Sequence, residues 1–171
     1  MVFKMKIGFA GAQGSGKTTK AYELAYELKR IGYDVYMLSE VARSCPLPIN
    51  EEATTESQLW ILGETLSKEQ SCKGDILIHD RTLLDAYVYS MRINPKLFIS
   101  LEPFIKEYMQ TYDIIFYMGK NDSYLIDDGI RSTNKLFRDE IDRLILDYIK
   151  KLKLKVVQEE DVIMYTLDNI N

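Results

Sequence analysis

The sequence predicts an α/β fold, a mostly parallel sheet with helices on both faces. Three observations predict it. Apolar runs of strand length alternate with longer segments whose apolar residues recur at helical spacing. The first run ends in a glycine-rich stretch, Gly11-Ala12-Gln13-Gly14-Ser15-Gly16-Lys17-Thr18. Finally, Gly11, Glu40, Asp80 and Gly119 each follow the end of a predicted strand within two residues. In a parallel sheet those positions share the carboxyl ends of the strands, where ligands bind.

The elements follow in chain order. Ile7 to Ala10 reads as a buried strand. In the next segment Ala21, Leu24, Ala25, Leu28 and Ile31 share one helical face, and Lys29, Arg30 and Gly32 supply stop signals. Val35 to Leu38 is a second strand, and Pro46 and Pro48 mark a loop. A helix is expected from about Thr55, with Thr55 and Gln58 as a capping box and Leu59, Leu62 and Leu66 as its buried stripe. Ile76 to Ile78 is a third strand, and residues 82 to 91 read as helix. Asn94 and Pro95 fit N-cap and first helical position, and Pro103 should break or restart that helix. Ile114 to Met118 is a fourth strand. Residues 119 to 135 are polar and read as a mobile loop, with a lid expected at about 120–134. A helix carrying Phe137, Ile141, Leu144, Ile145, Tyr148 and Leu152 on one face follows. Lys155 to Val157 is a fifth strand, and Val162 to Leu167 fits either strand or helix.

The 171 residues form a single expected domain, 1–171, large enough to fold without disulfide or metal staples. A net charge of −4 gives no broad attraction to nucleic acid polymers or anionic lipid, so phosphate binding needs a focused site. Two cysteines, Cys45 and Cys72, and one histidine, His79, build neither a metal centre nor a redox motif. The apolar runs are too short to cross a membrane, and a cytoplasmic protein is expected.

The chemistry concentrates at the strand ends. Gly11 to Thr18 fits G-x-x-x-x-G-K-[ST], with Thr19 following. Glycines let the backbone curl so that N–H groups and a helix N-terminus face phosphate oxygens. Gly11, Gln13, Gly14, Ser15, Gly16, Lys17, Thr18 and Thr19 are therefore the expected ATP or GTP site. Lys17 supplies a cation for the outer phosphates, and the Thr18 hydroxyl is a hard oxygen suited to Mg²⁺. Asp80 closes an apolar strand, where it could hold the same ion. Arg81 beside it would stabilise charge on transferring phosphate, the alternative being an Asp–Arg ion pair that only orders the loop. Glu40 is placed to accept a proton from an acceptor hydroxyl, against the plainer reading of a solvated glutamate. Arg131, two residues after Gly129, is the expected lid cation, with Arg138 second. Trp60 reads as a semi-buried core residue.

With these residues placed, the chain resembles the P-loop small-molecule kinases over nearly its whole length. It looks most like an AAA-labelled ATPase/kinase group that includes the nicotinamide riboside kinase domain, and more distantly like thymidylate and deoxynucleoside kinases. The resemblance rests on GAQGSGKTT at 11–19, E-V-A-R at 40–43, D-R-x-x-x-D-x-x-x-Y at 80–89 and D-D-G-I-R at 127–131. It implies a P-loop NTPase fold, a three-layer sandwich with five parallel strands in the order 2-3-1-4-5 and a lid. It also implies Mg²⁺-dependent phosphoryl transfer. Glu40 matches the position of the deoxynucleoside kinase base. Thymidylate kinases carry an aromatic after Asp-Arg and a serine five residues after the Asp, where this chain has Thr82 and Asp85. A carboxylate repels a substrate phosphate but can hold a ribose hydroxyl, so a nucleoside-like acceptor is expected.

The expected activity is accordingly a phosphotransferase of EC class 2.7. Lys17, Glu40, Asp80, Arg81 and Arg131 are its expected catalytic residues, and Arg43, Asp85 and Tyr89 its acceptor pocket. Mg²⁺ would be held by Thr18 and Asp80. The partners expected are a small-molecule substrate and, at most, a second copy of the chain. Two rivals stand beside this reading, a nucleoside monophosphate kinase and a regulatory or switch-type ATPase. A GTPase switch is disfavoured because D-x-x-G and N-K-x-D are both absent from the chain.

Overall fold

Four strands pair in parallel in the order β2-β3-β1-β4: β1 (Met5–Ala10), β2 (Val35–Leu38), β3 (Ile76–His79) and β4 (Ile114–Tyr117). The computed structural model describes residues 3–121, 123, 132–158 and 161–170. Ile7 lies beside Ile78 on one side and Ile114 on the other, so β1 is central. Its six residues are all buried, as expected for a strand covered on both faces.

The helices are α1 (Lys17–Arg30), α2 (Thr55–Ser71), α3 (Leu83–Ile93), α4 (Pro95–Phe98), α5 (Glu102–Met109), α6 (Lys135–Lys151) and α7 (Val162–Asn169). They form two layers. Ala21, Leu24 and Leu28 of α1, with Val162 of α7, pack on Ile7, Phe9, Ile78 and Phe116. On the opposite face Leu62, Leu84, Ile105, Ile141 and Ile145 of α2, α3, α5 and α6 pack with Ala10 and Ile115. Each fully buried Leu, Ile or Phe contributes about 1.5–3 kcal/mol by leaving water. This is the three-layer arrangement expected from the alternating strands and helices.

Two elements, the fifth strand and α2, differ from their sequence expectation, and the tail takes one of its two expected forms. The fifth strand is reduced to one parallel bridge, Val157 with Phe116, at the β4 edge. Val157 thus takes the fifth position in the expected order without a strand forming. The cap of α2 is Thr54, not Thr55, and its box partner is Ser57: the Thr54 hydroxyl accepts from Ser57 N–H while the Ser57 hydroxyl accepts from Thr54 N–H. The inward face is Ser57, Gln58, Ile61, Leu62 and Thr65, with Leu66 half-buried beside it; of the expected stripe only Leu59 is exposed. The tail resolves as α7, capped by the Asp161 carboxylate accepting from Met164 N–H.

Beneath the end of β3 lies a buried ionic cluster. Lys6 Nζ is 2.8 Å from Glu69 and donates to Thr111 Oγ1 at 3.0 Å. The rings of Tyr108 and Tyr112 cover the ammonium at 4.1 and 4.2 Å. Tyr108 donates its hydroxyl to Glu69, and Tyr112 bonds His79 Nδ1 at 3.0 Å. Burial lowers the Lys6 pKa, and the carboxylates of Glu69 and Asp113 oppose that shift. The cluster packs under His79, the residue immediately before Asp80.

Among the described residues, no helix is long and apolar enough to cross a membrane.

Candidate active site

The chain between β1 and α1 curls because it can. Gly16, the residue before α1, has φ 85°, a left-handed conformation open to glycine at little cost. No side chain caps α1, so its first N–H groups and its positive dipole end are left for a ligand. Lys17 is folded back against this loop. Its Nζ donates to the carbonyls of Gly11 and Ala12, both at 2.6 Å, and to Ser15 Oγ at 3.1 Å. Burial pushes its amine down to about 8, and the nearby Arg81 charge acts in the same direction. Gln13 to Thr19, with Glu40 and Arg81, line a hollow of about 320 Å³, counting its open mouth.

Asp80, the residue after β3, reaches the loop through Thr18. Thr18 Oγ1 donates to both Asp80 oxygens at 3.0 Å. Burial raises the Asp80 pKa, and the neighbouring Glu40 charge raises it further. A hydroxyl and a carboxylate meeting in a site rich in negative charge form a donor set that fits Mg²⁺, which takes hard oxygens and keeps several waters or substrate oxygens. Among the described residues no group of three or more His, Cys, Asp or Glu could hold a metal alone. The protein's share of such a site is thus Thr18 and Asp80.

Arg81 Nε lies 2.9 Å from Glu40 Oε1, and Arg43 Nε lies 3.4 Å from Glu40 Oε2. Burial opposes the Arg81 charge, but Glu40, Tyr89 and Asp85 together outweigh it and raise the guanidinium pKa. The Arg81 guanidinium also sits over the Tyr89 ring, 5.6 Å from its centroid. Glu40 and Arg81 line a second hollow as well, of about 590 Å³ with its mouth included. Its walls include Val41, Ile49, Gln58, Ile61 and Tyr89. The Tyr89 hydroxyl donates to Gln13 Oε1 at 2.8 Å, tying this wall to the phosphate loop.

Two buried amides face these hollows with an atom unsatisfied. Gln58 is 2% exposed and lines the second hollow, and its Oε1 has no hydrogen-bond partner. Gln13 is 3% exposed and lines the first, and its Nε2 has none. Unmet buried polar atoms are rare and costly.

The structure thus brings together Gln13 to Thr19, Glu40, Arg43, Asp80, Arg81 and Tyr89. Asp85 has a different place from the one expected. It is fully buried, lines neither hollow, and spends both oxygens on Gly11 and Thr82. Arg43 touches Glu40 but is not part of the second hollow's wall. Arg131 and most of the expected lid lie outside the described residues. Arg138, the second lid candidate, is buried in α6. Gln58 was missed as a site residue. The available signal was a glutamine in register with Ile61, Leu62 and Thr65, on the face of α2 that turns inward.

Comparisons with known proteins agree with this geometry. A family described as an AAA domain matches residues 6–162. No curated protein matches the chain by sequence. Among solved structures, deoxyadenosine kinase from M. mycoides with bound dATP superposes with a TM-score of 0.62 at 20% identity, covering 96% of this chain and 99% of that one. Thymidylate kinase from Ehrlichia chaffeensis gives 0.65 at 21% identity, covering 98% of each chain. NadR protein in complex with NR gives 0.71 at 20% identity; 97% of this chain is covered, but only 50% of that one. The fold of P-loop small-molecule kinases is therefore shared across essentially the whole chain.

Proposed function

The chain belongs to the AAA domain family, and on that premise we propose that it is a P-loop phosphotransferase. It would carry phosphate from ATP or GTP to the hydroxyl of a small, nucleoside-like acceptor. One observation carries the reading. The ion-paired Glu40 and Arg81 are the shared wall of the phosphate-loop hollow and the second hollow. A phosphoryl transferase needs a donor site and an acceptor site that meet at charged groups, whereas a protein that only binds or hydrolyses nucleotide has no use for the second.

Each residue then has a task that its position supports. The loop N–H groups and the α1 N-terminus bind the donor phosphates, and Lys17 leaves its carbonyls to pair with them. Thr18 and Asp80 would hold Mg²⁺, which when bound neutralises charge between the outer phosphates. Arg81 faces both hollows and stabilises charge on the phosphate in transit. Glu40 accepts the proton of the acceptor hydroxyl. Tyr89 and Gln58 hold the acceptor, the aromatic ring beside a flat group and the amide against a polar edge. The named ligands dATP and NR of two structural neighbours, with a thymidylate kinase third, favour an acceptor of nucleoside or nucleotide type. A monophosphate is less suited, because it would bring a dianion against Glu40.

The test is a transfer screen. Protein, Mg²⁺ and ATP or GTP are incubated with nucleosides and nucleoside monophosphates, and phosphorylated product is sought by mass. Glu40→Gln keeps size and hydrogen bonding but cannot take the proton. It should bind nucleotide as wild type does and transfer phosphate at least roughly a hundredfold more slowly. Transfer at the wild-type rate would remove Glu40 from the mechanism. Slow hydrolysis with no acceptor phosphorylated would replace the kinase reading with that of a regulatory ATPase.

A further inference from the structure

Asp85 joins two segments that the chain keeps far apart. Its Oδ1 accepts from the N–H of Gly11, the first residue of the phosphate loop, at 2.9 Å and across 74 residues of sequence. Its Oδ2 accepts from the N–H of Thr82 at 3.0 Å and from the Thr82 hydroxyl at 2.6 Å. Thr82 directly follows Asp80 and Arg81, and it is the N-cap of α3. One carboxylate therefore spans the start of the loop that cradles phosphates and the turn that carries the metal and charge groups.

A helix cap alone does not explain this arrangement. A third-position acid in a capping box needs to serve only its own helix start. Here one oxygen is committed to another segment, and the group has no exposed surface, so its desolvation must be offset by all three hydrogen bonds. The donor set also demands a carboxylate. The two backbone N–H groups approach opposite oxygens, and only an acceptor-only group satisfies both. Asparagine would turn an N–H₂ toward one of them, donor against donor. The Asp85 charge also favours the cationic forms of Lys17 and Arg81.

We infer that Asp85 is a positioning residue that sets the phosphate-binding loop in register with the Asp80–Arg81 turn. Phosphates held on the loop then meet the charges carried by the turn. The inference rests on nucleotide binding at the P-loop and on the phosphotransferase reading for its catalytic consequence. Misplacing reacting groups by about 1 Å can cost on the order of a hundredfold in rate.

The experiment measures hydrogen exchange of segments 8–19 and 80–88, with and without a non-hydrolysable ATP analogue and Mg²⁺. Wild type, Asp85→Asn, Asp85→Ser and Thr82→Val are compared well below their melting temperatures. In wild type, nucleotide should slow exchange in both segments. In Asp85→Asn it should slow the loop while the 80–88 segment loses most of that gain. Thr82→Val removes one donor but keeps the Gly11 link, so it should keep the coupling even where it lowers the melting temperature as much. Asp85→Ser, which has no opposed N–H₂, serves if the Asn variant does not fold, and it should also uncouple the segments. Single-turnover transfer per bound nucleotide should fall at least roughly tenfold in the Asp85 variants and much less in Thr82→Val. Coupling retained in both Asp85 variants, or lost equally in Thr82→Val, overturns the inference. A wild type that binds nucleotide and protects both segments yet phosphorylates no acceptor defeats the kinase reading, and leaves the coupling comparison to judge Asp85.

Discussion

Nucleotide affinity should fall steeply above pH 8, and Lys17 is the reason. Without nucleotide its ammonium is buried against Gly11 and Ala12 carbonyls, and its pKa drops from 10.5 to about 8. Phosphates supply the counter-charge that burial lacks, so nucleotide binds the protonated form. Binding above about pH 8 must then take up a proton, and affinity falls by up to about tenfold per pH unit. Roughly a tenth of Lys17 is neutral at pH 7 and roughly nine-tenths at pH 9, so Kd should rise about tenfold between them. Fluorescent ATP-analogue titrations at pH 7, 8 and 9 read the affinity. Calorimetry in two buffers of different ionisation enthalpy reads the proton, about half of one per nucleotide at pH 8. Lys17→Met should bind weakly at all three values with no uptake. Fold stability moves the other way. Between pH 8 and 10.5 the unfolded chain binds more protons at Lys17 than the native one, so this residue makes stability rise with pH there. Weaker binding at pH 9 therefore cannot be blamed on Lys17-driven unfolding. A flat Kd from pH 7 to 9, with no proton uptake, would refute the reasoning.

Two further outcomes are expected besides the Glu40 and Asp85 tests. Asp80 carries a raised pKa from burial and from Glu40, so its charge costs native stability at neutral pH, and that cost fades as pH falls through its titration. Asp80→Asn should melt no lower than wild type at pH 7 yet lose Mg²⁺-stimulated turnover; a lower melting temperature with full turnover would reverse both assignments. Gly11 has φ +147°, and a Cβ there would lie 2.3 Å from the Met118 carbonyl oxygen. Gly11→Ala should therefore lose at least about 2 kcal/mol in a urea titration, and a loss below about 0.5 kcal/mol would show that the loop and the β4 end move apart freely.

The order of strands and helices was legible because each apolar run has a period and a stop. Val35–Leu38 matches its expectation to the residue, and Gly32 and Asn94-Pro95 act where sequence signals put them. The short fifth strand was not legible. Three apolar-flanked residues read the same whether they make a ladder or one bridge, and only the β4 edge decides. The cap of α2 was ambiguous because Thr54 and Thr55 are both competent caps, and of its expected stripe Leu62 and Leu66 pack inward while Leu59 is exposed. Lys6 was overlooked as a strand residue because a lysine reads as solvated, whereas Glu69, Tyr108 and Tyr112 come from helices and a loop remote in sequence.

The same distinction runs through the candidate site. Residues whose task is local to their own segment could be read directly: Lys17 and Thr18 follow a glycine turn, and Asp80 and Arg81 follow an apolar strand. Residues whose task depends on a distant segment were misread. Asp85 has a sequence position that resembles an acceptor contact, but the nearest donors are Gly11 N–H and Thr82, and they exhaust it before any ligand arrives. Gln58 reads as a cap residue, but Ser57 is the box partner of Thr54, and Gln58 is buried, lining the second hollow with Oε1 unmet. The carboxylate expected to line an acceptor pocket is spent on Gly11 and Thr82 instead. On the proposed reading, a pocket with apolar walls, the Gln58 amide and the Glu40–Arg81 pair would favour an uncharged, hydroxyl-bearing acceptor, because a second anion there would compete with Glu40 for Arg81 at 2.9 Å.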